Sequence, residues 1–202
     1  MEKQELLQKV FKLFHKYGIK SVTMDDISKT FGISKKTLYE WVTDKEHLIE
    51  QVLTSKHEYI KQDYWTDSPQ TALDKAFNIY AFIITILKNY NPSIIYDLKK
   101  YYPVLYAKIQ QKQRTNMLKK MQQNLQQGIK EGIYREDLNV VLISHLHLLS
   151  IESIHNNDLL DDISPVDLFR EMFKFYLRAI AKPNKLQLID KTILKLEKQF
   201  NF

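Results

Sequence analysis

A run of lysine, hydroxyl and aromatic side chains directly after Ser34 has the chemistry needed to bind nucleic acid. Its members are Lys35, Lys36, Thr37, Tyr39 and Trp41. Ammonium and hydroxyl groups near the first turn of a helix bind phosphate oxygens together with the free backbone N–H groups, and longer side chains reach base edges. Leu38 and Val42, four residues apart, would face inward on such a helix. The pattern predicts a helix over residues 35–42 with one buried stripe and one face available for DNA.

Capping residues define the two helices that would position this run. Thr23 is suited to cap a helix from residue 24 to about residue 31, and Asp26 completes a capping-box pattern. Gly32 supplies the stop, and Ser34 caps the second helix. Two short capped helices joined by a turn with glycine are typical of a helix-turn-helix, whose second helix enters the major groove. Helical hairpins with a glycine turn also occur in other all-α proteins, so the pattern alone leaves that structural interpretation open.

A third helix is predicted to follow at once. Thr43 and Glu46 repeat the capping-box spacing, and Lys45 would stand in the first turn, where it is placed to bind a phosphate. No Gly or Pro interrupts the residues up to about 64. We therefore expect one long helix that links the two parts of the chain.

The segment from Gly32 to Leu48, GISKKTLYEWVTDKEHL, closely resembles the DNA-binding signature of TetR-type repressors. The resemblance extends over residues 3–50 and includes a first helix with aromatic residues and a glycine near its end. It implies three N-terminal helices that bind DNA, and a larger all-helical domain that dimerises and holds a small effector, whose binding usually releases the operator. Lys36 and the pair Trp41-Val42 depart from residues that the family often has, which affects the bases that would be read.

The resemblance implies a homodimeric transcriptional regulator, and we expect a repressor that binds a palindromic double-stranded DNA operator. Each subunit would place residues 35–42 in one major groove. The residues expected to position phosphates are Thr23, Ser34, Tyr39 and Lys45. The residues expected in the groove are Lys35, Lys36, Thr37 and Trp41. An unknown small-molecule effector would act through its different affinities for two conformations of the protein.

Apolar spacing along the chain predicts an all-α fold. A helix-turn-helix domain over residues 1–47 would precede a helical effector-binding and dimerisation domain over residues 48–202. An amphipathic first helix over residues 2–17 would cover the helix-turn-helix. Breaks rich in Pro, Gly, Asn and Asp divide the remainder into further helices. These breaks are at residues 65–69, 91–92, 103, 132–137, 164–165 and 183.

Two helices in the C-terminal half are apolar over an unusually wide surface. The helix from residue 138 to about residue 156 is apolar nearly all round, and the helix that starts at Ser164-Pro165 has a similarly wide apolar face. Such helices must be covered by their own domain and by another chain. Two from each subunit would make a two-fold, four-helix interface. The expected interface residues are Leu142, Leu146, Leu149, Leu168, Met172, Phe173 and Tyr176.

An effector pocket is expected among residues 77–177. Binding pockets favour large apolar side chains combined with a few hydroxyl or imidazole groups. The candidates that fit are Phe77, Tyr80, Tyr96, Tyr102, Tyr106, His145 and Tyr176. Each of them is also compatible with an ordinary core position, and the sequence does not name the ligand.

Cysteine content and charge indicate the cellular compartment and the kind of partner. The chain has no cysteine, so neither disulfides nor thiolate sites are expected, and its N-terminus lacks the apolar run of a secretory signal. We therefore expect a cytoplasmic protein with no membrane partner. The net charge of +6 suits nucleic acid. Residues 98–130 hold seven Lys, one Arg and no acid, whereas residues 152–171 hold six acids. Solvated helix faces, an anionic effector or steering toward DNA would each account for that polarity.

One motif offers enzyme chemistry and is rejected. Glu152 and His155 have the Glu-x-x-His spacing of di-iron carboxylate bundles, but that site needs a second copy and further carboxylates. His145 and His147 point to different sides of a helix, so they suit buried or interface roles and not a metal site. We expect no enzyme activity, no metal and no cofactor. The alternative to a DNA-binding regulator is an all-helical module that uses the helix-turn-helix to bind a protein partner.

Overall fold

The computed structural model describes residues 2–64, 70–88, 91–155 and 163–201, with the side chains of 55–64 and 155 left out. The predicted break at residues 65–69 and the His155 side chain of the rejected motif lie outside these residues. The helices are α1 (Lys3–Tyr17), α2 (Met24–Phe31), α3 (Lys35–Trp41), α4 (Lys45–Tyr64), α5 (Ala72–Lys88), α6 (Pro92–Tyr101), α7 (Pro103–Lys130), α8 (Val140–His155), α9 (Pro165–Ile180) and α10 (Leu186–Phe200), with a 3-10 turn at Pro183–Lys185. The all-α prediction is confirmed. None of the helices in the described ranges is long and apolar enough to cross a membrane.

The first two caps of the helix-turn-helix form as predicted. The Asp26 backbone N–H donates to Thr23 Oγ1 at 3.1 Å, and the Thr23 backbone N–H donates to Asp26 Oδ2 at 2.9 Å, which completes the capping box. Gly32 ends α2 in the left-handed region with φ 64°, which favours glycine. Ser34 Oγ accepts the backbone N–H of Thr37 at 3.0 Å and so caps α3. Local hydrogen bonds therefore fix the turn between α2 and α3.

The start of α4 differs from the prediction by one residue. Asp44, and not Thr43, caps the helix, because its Oδ1 accepts the His47 backbone N–H at 2.8 Å. His47 Nδ1 in turn accepts a hydrogen bond of 3.2 Å from the backbone N–H of Thr43, the residue before the cap. The predicted box with Glu46 was wrong, since the imidazole nitrogen of the next residue takes the place of a carboxylate.

Helices α1 to α4 share a core with α6 and the start of α7. The residues Met1–Asp63 and Tyr90–Lys112 form one compact unit, which we call the head unit. Its core includes Ile94, Leu98 and Leu105 beside the side chains of the first four helices. The predicted domain boundary at residue 47 assigns those three residues to the larger domain, whereas their packing assigns them to the head unit.

The remaining helices form a second compact unit, Tyr64–Asn89 with Gln113–Phe202, which we call the helical unit. Its core is built from α5, the second half of α7, and α8 to α10. Tyr134, in the loop after α7, is fully buried with its ring against Gly128 of that helix. A Cβ at Gly128 would come within 2.0 Å of the ring, so only glycine allows this contact. The loop is further fixed by the Arg135 backbone N–H, which donates to the Ile180 oxygen at 2.8 Å.

Candidate nucleic-acid interface

Helix α3 buries one side and exposes the other. Leu38 is fully buried in the core of the head unit, and Val42 follows it at 2% exposure. The opposite side carries Lys36 and Tyr39, both exposed, with Tyr39 at 49%. This is the division that the apolar spacing predicted. It leaves a cation and a phenol free to reach a groove or a phosphate.

The two adjacent lysines of α3 differ in their surroundings. Lys35 Nζ forms an ion pair with Asp25 Oδ1 of α2 at 2.7 Å, and this contact raises the pKa of Lys35. The pair is exposed, so it contributes little to stability, but it directs the Lys35 side chain toward α2. Lys36 has no carboxylate partner within the described part of the chain. The neighbouring Lys36 is therefore the cation that is free to bind an external anion.

Thr37 and Trp41 are less accessible than the sequence suggested. The Thr37 hydroxyl shares a hydrogen bond of 2.9 Å with Ser34 Oγ, so both hydroxyls serve the cap. Trp41 is half-buried against the core of the head unit, and its backbone oxygen accepts Lys3 Nζ at 3.1 Å. Through these contacts, Thr37, Ser34 and Trp41 position α3.

Lys45 joins the start of α4 to the loop between α1 and α2. Its Nζ donates to the Lys20 backbone oxygen at 3.2 Å. Partial burial lowers the pKa of Lys45, and the nearby carboxylates of Asp97 and Asp26 oppose that shift. Thr23, the remaining predicted phosphate contact, is exposed at the start of α2 with its hydroxyl engaged in the cap.

Asp97 of α6 is a functional candidate that sequence reasoning missed. Its side chain is buried at 9% exposure, and Oδ2 accepts the Lys20 backbone N–H at 2.8 Å. Gly18 makes room for it, because a Cβ there would lie 3.1 Å from the same oxygen. The sequence feature that could have identified Asp97 is that no other acidic residue occurs between Asp74 and Glu131. Asp97 holds the loop that leads into the helix-turn-helix.

The expected pocket residues belong to two different compact units. Tyr96, Tyr102 and Tyr106 lie in the head unit, whereas Phe77, Tyr80, His145 and Tyr176 lie in the helical unit. Tyr96 is 57% exposed, and its hydroxyl accepts Lys100 Nζ at 2.8 Å. Tyr102 is half-buried, with a pKa raised by that burial, and the Tyr106 hydroxyl accepts Gln110 Nε2 at 3.1 Å. Phe77 is buried, with Lys195 Nζ 4.6 Å from its ring centre.

Within the helical unit, Tyr80 and Tyr176 meet at a histidine that was not predicted to bind the effector. The Tyr80 hydroxyl forms a hydrogen bond with His147 Nε2, and the His147 ring stacks on Tyr176 with centroids 3.6 Å apart. Tyr80 also stacks on Phe173 at 3.6 Å. Burial raises the pKa of Tyr80 and of Tyr176. We call Tyr80, His147 and Tyr176 the imidazole cluster.

The prediction of His145 as a pocket residue requires correction. His145 is exposed on α8, and its Nδ1 contacts the Val141 oxygen at 2.8 Å along the same helix. His147 is buried at 5% exposure, on the side of α8 that carries Leu148 and Ile151. Two residues apart on a helix, the histidines face opposite environments, and only His147 enters the cluster.

The imidazole cluster predicts a pH dependence of stability. Burial lowers the pKa of His147 to about 3, below its ordinary value of 6.5. Between pH 6.5 and pH 3, His147 binds a proton in the unfolded chain but stays neutral in the folded chain. The contribution of neutral His147 to folding stability is therefore complete above pH 6.5 and is lost as the pH falls toward 3. The free energy of unfolding should fall by up to about 5 kcal/mol over this window from His147 alone. Chemical denaturation at pH 6.5 and pH 4.5 measures this change.

Two variants isolate the contribution of His147. His147→Gln removes the titration but retains an amide that can bond to Tyr80, so it should have a smaller pH dependence than the wild type. His145→Gln removes the exposed imidazole and should leave the pH dependence unchanged. Equal pH slopes for wild type and His147→Gln would contradict the assignment.

The predicted interface residues divide between an exposed face and the core. Leu142 and Leu146 are each 60% exposed on α8, and Leu149 is 52% exposed. Leu168, Met172 and Tyr176 on α9 are half-buried. Phe173 is 1% exposed and packs on Tyr80, so its inclusion in an exposed face is corrected. Phe175, which lies on the predicted apolar face of α9 but was not among the seven expected interface residues, is 77% exposed.

Comparisons with known proteins agree with this arrangement. The family model described as "Bacterial regulatory proteins, tetR family" matches residues 6–52, which contain most of α1, all of α2 and α3, and the start of α4. An uncharacterized HTH-type transcriptional regulator, YvaF of Bacillus subtilis, is 28% identical over 102 residues, or 49% of this chain and 53% of that relative. The chain thus spans about half the length of that relative. The HTH-type transcriptional repressor KstR2 of Mycolicibacterium smegmatis is 23% identical over 146 residues, covering 70% of this chain and 71% of that protein.

Solved structures share the fold. A transcriptional regulator from Cytophaga hutchinsonii aligns with a TM-score of 0.71 at 18% identity, covering 89% of this chain and 96% of that chain. A TetR transcription regulator from Haloarcula marismortui gives the same TM-score at 14% identity, with 89% and 97% coverage. Together, the head unit and the family match identify a helix-turn-helix region of the kind found in transcription regulators within residues 6–52. Over residues 6–52, the chain matches the tetR family of bacterial regulatory proteins.

Proposed function

We propose that this chain is a ligand-responsive repressor that binds a palindromic DNA operator as a homodimer. The observation that carries the proposal is the exposed face of α3, where Lys36 and Tyr39 are accessible while Leu38 is fully buried. A helix held in this way can enter the major groove without a change in the head unit. The relative KstR2, whose name describes a transcriptional repressor, supports repression over activation.

Two-fold symmetry is the reason to expect a palindrome. The exposed apolar faces of α8 and α9 are proposed to pair with the same faces of a second copy, which creates a self-complementary interface. Each subunit then presents one α3 helix to DNA. Half-sites of such dimers are separated by one helical turn of about 34 Å, or by a multiple of it.

The imidazole cluster is proposed as the place where an effector acts. It combines two phenol rings and one imidazole ring inside an apolar core. Small-molecule sites favour this composition of apolar surface with a few polar groups. Because His147 is neutral at physiological pH, the cluster suits an uncharged or weakly polar ligand. Such a ligand weakens operator binding only by its preference for a conformation that does not bind DNA.

Selection of bound duplexes from a random-sequence DNA pool tests the proposal. Purified protein at near-physiological salt should enrich a palindrome, because a two-fold dimer reads two identical half-sites. A pool that shows no enriched sequence would contradict a sequence-specific dimeric regulator. Thermal-shift screening of small uncharged ligands, with operator release as the second readout, then tests the response to an effector.

Paired lysine variants test the orientation of α3. Lys36→Ala should weaken operator affinity and reduce the slope of log affinity against log salt by about one per subunit. Lys35→Ala should have a smaller effect, because its ammonium group already pairs with Asp25. Lys191→Ala, which removes an exposed lysine of α10, serves as the control. If Lys36→Ala binds with an unchanged salt slope, Lys36 does not contact a phosphate.

A further inference from the structure

The head unit carries a second cationic surface outside the helix-turn-helix. We call it the lysine–tyrosine strip and define it as Lys20, Tyr96, Lys100 and Tyr101, all exposed. Lys20 Nζ donates to the Tyr101 hydroxyl at 2.9 Å and lies 4.5 Å from the centre of that ring. Lys100 Nζ lies 5.5 Å from the same ring centre and donates to the Tyr96 hydroxyl at 2.8 Å. The four side chains therefore form one connected surface.

The positive charge of the strip is not neutralised by surface acids. In the described ranges, neither Lys20 nor Lys100 forms an ion pair with a carboxylate. The acid on α6, Asp97, is buried and directed at the Lys20 backbone N–H. The exposed groups of the strip are thus two ammonium groups and two hydroxyls, which together suit an anionic partner.

The strip is continuous with residues already expected to meet DNA. The Lys20 backbone oxygen accepts Lys45 Nζ at 3.2 Å, at the first residue of α4. Thr23 follows Lys20 by three residues and caps α2. A DNA backbone that reaches the starts of α2 and α4 therefore comes close to Lys20 and Tyr101.

We propose that the lysine–tyrosine strip binds DNA phosphates that flank the base pairs read by α3. This inference rests on the proposed operator binding and extends its contact surface to α6. Lys20 and Lys100 would pair with phosphate oxygens, as Lys commonly does in protein–DNA complexes. The Tyr101 oxygen already accepts a hydrogen bond from Lys20, so its O–H proton is available to donate to a phosphate.

The chemistry of the strip favours a phosphate group over an apolar partner. Both tyrosine hydroxyls accept hydrogen bonds from lysines, so the surface of the strip presents polar groups and not bare ring edges. The bond from Lys20 also lowers the pKa of Tyr101, which makes its hydroxyl a stronger donor. Phosphate positioning of this kind adds affinity without adding sequence preference.

The salt dependence of binding to duplexes of two lengths tests the proposal. One duplex ends at the last base pair of each selected half-site, and the other carries about one further helical turn on both sides. On the longer duplex, the double variant Lys20→Ala with Lys100→Ala should reduce the log–log salt slope by about two per subunit. On the shorter duplex, wild type and double variant should have similar slopes, because the flanking phosphates are absent.

Matched controls separate this inference from the proposed function. Lys191→Ala with Lys198→Ala removes two exposed lysines of α10 and should not change either slope. If the wild type binds DNA and Lys36→Ala weakens it while the strip variant keeps the wild-type slope on the longer duplex, only the strip is wrong. A wild type that binds neither operator nor random duplex overturns both proposals. Equal slope losses on both duplexes place the lysines inside the half-site and overturn the flanking assignment.

Discussion

Replacing Leu146 by glutamate is expected to convert the proposed dimer into monomers at micromolar protein concentration and to abolish the proposed tight operator binding. Leu146 lies between Leu142 and Leu149 on α8, and all three are more than half exposed in the isolated chain. A carboxylate at the centre of the paired faces would be buried without a partner, which costs several kcal/mol. In the proposed complex two subunits must be held together to bind both half-sites, so operator affinity should fall when the dimer dissociates. Sedimentation and operator titration measure the two effects.

The exposure of Leu146 in the single chain makes this variant informative. A charge at an already exposed position should leave the melting temperature of the monomer nearly unchanged. Leu194→Glu is the matched control, because Leu194 is 53% exposed on α10, outside the proposed interface. A Leu146→Glu protein that remains dimeric would move the interface away from α8.

Replacing Gly128 by alanine is expected to destabilise the helical unit by about 3 kcal/mol or more, in the upper range for overpacked cores. The added Cβ would lie 2.0 Å from the Tyr134 ring, which is fully buried and has no open space to enter. In an unobstructed helix the same substitution stabilises a protein by about 0.5–1 kcal/mol, so even the sign of the effect is diagnostic. Denaturant unfolding followed by circular dichroism measures the change.

A second substitution should relieve the effect of Gly128→Ala. Tyr134→Ala removes the ring and is itself destabilising, but in its presence Gly128→Ala should cost little, which a double-mutant cycle reports as strong coupling. Gly132→Ala is the control for backbone conformation, since Gly132 has φ 70° but no atom within 4 Å of its Cβ direction. If Gly128→Ala were neutral in the wild type, the packing of Tyr134 against α7 would be different from that described.

The helices near the DNA-binding signature could be predicted closely because their ends depend on local chemistry. Thr23 with Asp26 and Ser34 with Thr37 close hydrogen bonds across three residues, and Gly32 supplies a left-handed end. No distant contact is needed to specify these features. The one-residue error at Thr43 arose where a histidine nitrogen accepts the Thr43 backbone N–H, which the usual capping pattern does not include.

The side of an apolar helix that faces the core could not be predicted in the same way. Helix α8 is apolar nearly all round, so its sequence has little periodic signal to distinguish His145 from His147. Phe173 and Phe175 on α9 pose the same problem, since two similar rings end at 1% and 77% exposure. Only the packing of α5 and α9 against α8 decides which side chains are enclosed.

The assignment of α6 to the head unit depends on contacts between residues far apart in sequence. Asp97 contacts Lys20, which is 77 positions away in the sequence, and no local sequence pattern on α6 predicts that contact. A boundary drawn from the helix-turn-helix pattern therefore stops at residue 47. Because Ile94 and Leu98 pack beside the first four helices, the head unit includes residues well beyond residue 47.

The discontinuity of the head unit has a consequence for the order in which the chain folds on the ribosome. Its two segments, Met1–Asp63 and Tyr90–Lys112, are separated by residues of the helical unit. The helix-turn-helix is made before the second segment, so its core lacks Ile94, Leu98 and Leu105 until that segment has left the exit tunnel. Nascent chains stalled before that point should remain sensitive to protease in α1 to α4. The proposed DNA-binding helices are thus synthesised before the residues that complete their core, so the proposed operator binding must wait until Leu105 has left the exit tunnel.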